Sequence, residues 1–289
     1  MKLYIKLFIA SLFLFSGIQM FSQAEKETDT LTTIEKKHPL LVDKFSFTVG
    51  AYSSFKTIGV GANGSSNNDI IDFDEKVDFN NNETTPFFLF NWRFAKKWSL
   101  TAEYFGVKNA ITTNFEDDFE WNGYDFVAGL NINAGFDLEM YRVMIGRTIS
   151  KGLKHELGLG LGVHVLDIQT YIEGQAYIIG EGTEIDATGV KSIIDVVAPL
   201  PNVGVWYLYA PSHKWIFNTR LDWFGIKVGD YTGTMWNFAA GANYQFHKNI
   251  GVGLKYRYFD FTATVDNEKW DGKLTMIFHG PLLTLNANF

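Results

Sequence analysis

From Asp43 onward, apolar and polar residues alternate in short runs. In "KWSLTAEYFGV", residues 97–107, Trp98, Leu100, Ala102 and Tyr104 share one side of an extended chain, against Ser99, Thr101 and Glu103, because successive side chains of a strand point to opposite faces. "KWIFNTRLDWFG" sets Trp215, Phe217, Thr219, Leu221 and Trp223 against Asn218, Arg220 and Asp222. "MWNFAAGANYQF" repeats the pattern, and so does "IGVGLKYRYF", where Ile250, Val252, Leu254, Tyr256 and Tyr258 oppose Gly251, Gly253, Lys255 and Arg257. No helical period is prominent, and no run reaches the ~18 apolar residues of a spanning helix. A soluble β-sandwich also alternates. Here, however, the apolar faces begin and end in Trp or Tyr with small or aliphatic residues between, as a lipid-facing strand with interfacial belts does.

Four tight basic turns reverse the chain, in "RFAKKWSL", "IGRTISKGLKHELG", "YLYAPSHKWIF" and "YQFHKNIGVG". Longer excursions fall between them at 63–83, 109–125, 173–197, 229–233 and 266–272. Short turns at one end and long loops at the other are the asymmetry of a membrane barrel. The pattern predicts an all-β fold, an antiparallel up-and-down transmembrane β-barrel of about ten strands. They fall at 43–62, 84–95, 97–109, 126–149, 153–172, 198–210, 214–228, 234–246, 250–265 and 273–289. In the fourth, the phase that turns Asn131, Asn133, Asp137 and Glu139 inward puts Arg142 outward. A bulge near Glu139 to Tyr141 is therefore expected, turning Arg142 in and Tyr141, Val143 and Ile145 to lipid.

The N-terminus carries an export pattern: Lys2 and Lys6, an apolar run over 7–18, then Ser22-Gln23-Ala24. Residues 1–24 are expected to be a signal peptide cleaved near Ala24, and the polar stretch 25–42 a periplasmic lead-in to a barrel over 43–289. Composition sharpens this. Aromatic content is 16%, with 26 Phe, 13 Tyr and 8 Trp, enough for interfacial girdles. There is no Cys, which removes disulfides and thiol catalysis. The net charge of −7 gives no basic footprint for nucleic acid.

The chain ends "HGPLLTLNANF", with Leu283, Leu285 and Phe289 on one face and Ala287 as a weaker member. With the signal sequence and the hairpin series, this resembles the outer-membrane β-barrel proteins of gram-negative bacteria, whose last strand commonly ends in Phe after alternating apolar residues. The resemblance covers 43–289 and implies that Leu283, Leu285 and Phe289 close the barrel and are read by the barrel-insertion machinery. It implies a protein of the cell outer membrane with membrane lipids as partners, and it names no activity.

Extending the alternation puts Arg93, Glu103, Arg142, His164, Arg220, Asp222, Lys255 and Arg257 in the lumen. Two roles are open to them. One is an ion-pair plug that rigidifies the barrel; the other is a selectivity lining for small solutes, anions among them, since Arg and Lys outnumber Asp and Glu. The plug is the weightier, because barrels near this size are filled by side chains. His164 with Asp167 or Asp222 has the composition of a general-base pair. His155 lies at odd spacing from it and so on the opposite face, and no nucleophile motif accompanies either. "GLGLGVH" is a strand whose inner face is Gly158, Gly160 and Gly162, with no helix after it as a dinucleotide loop requires. The excursions at 63–83 and 109–125 are acidic and the tight turns basic. Basic turns suit anionic headgroups. The acidic "DFDEKVD" lacks the glycine and ligand order of a calcium loop, so neither metal nor cofactor is expected. The expectation is a monomeric barrel without enzymatic activity, structural or forming a narrow passage for small solutes. The rival is an outer-membrane enzyme acting on lipid or peptide at the outer surface.

Overall fold

Each alternating run pairs with its neighbours as an antiparallel strand. The computed structural model describes residues 37–63, 83–114, 119–121, 124–126, 131–178, 185–267 and 270–289. The signal region, half or more of the lead-in, and most of the acidic excursion at 63–83 lie outside the described residues. The elements are helix α1 (Pro39–Val42) and strands β1 (Phe45–Asn63), β2 (Glu83–Ala95), β3 (Trp98–Asn114), β4 (Phe119–Trp121), β5 (Tyr124–Phe126), β6 (Asn131–Lys151), β7 (His155–Ile178), β8 (Ile185–Tyr209), β9 (Trp215–Val228), β10 (Tyr231–Gln245), β11 (Ile250–Asn267) and β12 (Trp270–Asn288). Ten of these strands pair in a closed ring, β1-β2-β3-β6-β7-β8-β9-β10-β11-β12 and back to β1. The short β4–β5 hairpin pairs with β7 at Tyr124 to Phe126, beyond the point where β6 stops.

Closure is made by β12 on β1, in register from Ser46↔Asn288 to Asn63↔Asp271. Phe45 and Phe289 exchange backbone hydrogen bonds at 2.8 and 2.9 Å. In the band next to the tight turns each strand of the ring pairs on both sides, the condition for crossing lipid. Leu283, Leu285 and Phe289 all point outward and are exposed.

The outer wall carries Val49, Phe88, Ile145, Leu161, Phe217, Leu254 and many further exposed large apolar residues, far more than a water-soluble surface tolerates. Aromatic residues bound this band. Trp98 and Trp215 stand beside the tight turns, and the cross-strand pairs Tyr104↔Tyr141 and Trp223↔Trp236 stand further up. From Trp215 to Trp223 is about 27 Å along the strand at about 3.4 Å per residue. A tilt of about 40° brings that to about 20 Å, close to the apolar band of a membrane barrel.

Two expectations need correction. The excursions at 109–125, 173–197, 229–233 and 266–272 are largely strand: β3 runs to Asn114, β7 to Ile178, β8 begins at Ile185, β10 at Tyr231 and β12 at Trp270. Beyond the aromatic band the outer face leaves lipid and turns polar, so the lipid-type alternation fades while the backbone ladder continues. The fourth strand also has no bulge near Glu139. β6 keeps one register against β3 throughout and shifts against β7 only between Thr148 and Ser150. Its even-numbered residues, Arg142 among them, face in, so Asn131, Asn133, Asp137 and Glu139 face out. They stand past the Tyr104–Tyr141 pair, where the outer wall has left lipid. Lys108 pairs with Asp137 there at 2.6 Å, and Tyr141 donates to Glu139 at 2.6 Å.

Candidate functional site

The lumen is stratified, and strand phase dictates the layers. In the half remote from the tight turns the inner face is apolar. Tyr52, Phe105, Leu138, Met140, Leu166, Phe259, Met276 and Phe278 are all buried in one cluster. Phe105 meets Phe259 edge-on at 6.3 Å, and Phe259 stacks on Phe278 at 6.1 Å. The charged residues picked out from the sequence therefore occupy only part of the lumen's height, because "EYFGV" and "YRYFDF" carry apolar residues on both faces.

Beneath this core lies a layer of charge. Arg142 of β6 pairs with Asp222 of β9 at 2.8 Å, both buried. Arg220 binds Glu103 with two nitrogens and reaches Asp222 through Nε at 3.2 Å. Arg257 binds the same Glu103 at 2.8 Å and lies over the Phe105 ring at 4.3 Å. Six of the residues picked out from the sequence, Glu103, Arg142, His164, Arg220, Asp222 and Arg257, thus form one connected network. Arg93 and Lys255 do not join it. Arg93 lies nearer the tight turns, bound to Glu156 at 2.8 Å and to the carbonyl of Leu40 in α1 at 2.9 Å. Lys255 lines a cavity below the network.

Glu156, Asn202 and Asn237 also belong to the polar lumen and were not singled out from the sequence, although each lies on the inward phase of its strand. Asn237 decides the state of His164. Its carbonyl accepts from Arg257 at 3.3 Å, so its amide donates, to Asp222 at 3.2 Å and to His164 Nε2 at 3.0 Å. Nε2 is therefore the acceptor, and Nδ1–H donates to Asn202 at 3.0 Å. Asp222 stands 3.8 Å from the ring, whereas Asp167 is on the outward phase of β7. With both nitrogens engaged and no exposed surface, His164 has no free lone pair for a substrate. His155, at the turn, contacts Ser150 at 3.2 Å.

Two glycines make room for this layer. A Cβ on Gly158 would stand 2.0 Å from the Trp206 ring, and one on Gly204 would stand 2.3 Å from Asp222. "GLGLGVH" is a strand whose inner face is emptied at Gly158 to admit Trp206 and at Gly160 to admit Met144.

At the tight-turn mouth α1 enters the lumen. Leu41 packs fully buried on Ala210 and Ile216. His38 caps the helix, accepting from the amide of Leu40 at 3.2 Å through Nδ1. Burial, with a smaller contribution from His213, lowers its pKa to about 4. Between α1 and the charge layer remains a cavity of about 160 Å³.

The ten-stranded closed ring matches solved structures in fold. The outer membrane protease OmpT from Escherichia coli aligns over 91% of this chain and 100% of its own, at 10% identity and a TM-score of 0.55. The fold is that of the gram-negative outer-membrane β-barrels. A weaker likeness joins this barrel to the outer membrane protein OprG from Pseudomonas aeruginosa, over 88% of this chain and 98% of the other, at 11% identity and a TM-score of 0.36. No protein-family model matches the barrel's sequence, and no curated protein matches it.

Proposed function

We propose that the protein is a non-conducting outer-membrane barrel with a structural role, a closed wall that carries long strands beyond the membrane. The observation that carries this is the apolar core of Phe105, Phe259 and Phe278 across the lumen, backed by the ion-pair layer and by α1. Ion pairs that are closed on each other, as Glu103 is with Arg220 and Arg257, rigidify a barrel rather than line a passage. The tight turns then face the periplasm and the long strand extensions face outward. Export by a signal over 1–24, insertion guided by Leu283, Leu285 and Phe289, outer-membrane lipid as surroundings and a monomeric state belong to the same proposal.

A barrel fold hosts many activities, and the proposal is a non-enzymatic one because His164 offers no reactive nitrogen. Purified protein in planar bilayers is expected to give no conductance steps. Steps that vanish when Lys255 and Arg257 are neutralised would establish a passage instead, and hydrolysis of envelope lipid or peptide lost on His164→Ala would establish an enzyme.

A further inference from the structure

The cavity between α1 and the charge layer is short of negative charge. Its wall carries five cationic side chains, Lys255 and Arg142 among them, and two carboxylates, Glu103 and Glu156; Asp222 adds a third from behind the wall. Both oxygens of Glu103 are already bound by Arg220 and Arg257, and Glu156 is bound by Arg93 and Lys151. Lys255 has no described carboxylate within ion-pair distance. Donors are also left over. Nε and Nη1 of Arg142, a side chain only 1% exposed, and Nδ2 of Asn218 are buried without a protein acceptor, and both residues line the cavity. Water can satisfy orphan donors, but it leaves the excess of positive charge uncompensated beside an apolar core, a costly arrangement. An anion supplies both the acceptors and the charge.

We propose that this cavity binds a small oxyanion of the phosphate, sulfate or carboxylate class, held by Lys255, Arg142 and Asn218. The volume of about 160 Å³ is that of about five waters, which is room for a tetrahedral oxyanion. The apolar core closes the outward route, so the ion comes from the periplasmic side past α1. This goes beyond the structural role proposed above and does not depend on conduction.

The test uses the refolded full barrel in detergent micelles at pH 7, with thermal unfolding followed by far-UV circular dichroism. Sodium phosphate, sulfate and acetate are titrated against sodium chloride at matched ionic strength. At least one oxyanion is expected to raise Tm saturably where chloride does not. Lys255→Met is expected to abolish the saturable rise and Lys255→Arg to keep it. Asn218→Leu, which removes a donor without changing charge, is expected to weaken the apparent affinity about tenfold and serves alone if Lys255→Met does not fold. Equal behaviour of all four salts on the wild type would overturn the site, as would an unchanged saturable rise in Lys255→Met or in Asn218→Leu.

Discussion

Glu103 of β3 accepts from Arg220 of β9 and Arg257 of β11, strands on other parts of the ring. Its side chain is fully buried, so the three groups hold one another in place of water. Breaking a buried pair by removing one partner costs about 3–5 kcal/mol, because the remaining charge stays desolvated. Glu103→Gln is therefore expected to lower the unfolding free energy by about that amount, read from urea titrations of the vesicle-inserted protein. A loss below about 1 kcal/mol, typical of a solvated pair, would show the network to be hydrated. Alternation alone puts Glu103, Arg220 and Arg257 on the face opposite Trp98, Trp223 and Tyr256. It cannot say that Arg93 belongs to Glu156 and not to this network, since partner choice depends on barrel stagger, which no local pattern encodes.

At the level of the strand, β7 and β8 are fitted to each other through absence and bulk. Trp206 lies where a Cβ of Gly158 would be, and its indole N–H reaches Glu156 at 3.3 Å. Gly158→Val forces the ring out of that space, and overpacking of this kind costs about 1–3 kcal/mol. The double variant Gly158→Val with Trp206→Leu is expected to recover most of the loss in the same urea titration. If the two losses simply add, the ring does not depend on the glycine. The glycine series was legible as a strand face, and its purpose was not, because Trp206 comes from a distant segment. Strand ends were the least legible part. Ile178 and Ile185 lie in a stretch that looks like loop, since outside lipid a strand needs only its ladder. The sequence around Glu139 misled in the same way, because polar residues on the outer wall are costly in lipid and harmless above it.

For the whole molecule, the lumen of the proposed closed barrel is blocked in series, by α1 at the tight-turn mouth, the charge layer, then the aromatic core. Removing α1 should therefore open the cavity without opening the barrel. The absence of cysteine makes this measurable, for Asn218→Cys and Phe105→Cys each supply a single thiol, one in the cavity and one in the core. With residues 25–42 deleted, a charged methanethiosulfonate reagent is expected to label Cys at 218 rapidly, to leave the thiol at 105 unlabelled, and to induce no conductance. Acid should do part of what the deletion does. Docked His38 has its pKa lowered to about 4 against about 6.5 when free, so the undocked mouth binds the extra proton. Docking is at full strength above about pH 6.5 and weakens as pH falls toward 4; the proton also takes the Nδ1 lone pair that caps Leu40. Labelling at 218 in the intact chain, taken relative to the deleted chain at the same pH, should then rise between pH 7 and 5. His38→Gln should flatten that rise. A labelling ratio indifferent to pH in the wild type would mean that His38 does not hold the plug, and labelling at 105 in the deleted chain would mean that the charge layer is permeable and the barrel has only one true seal.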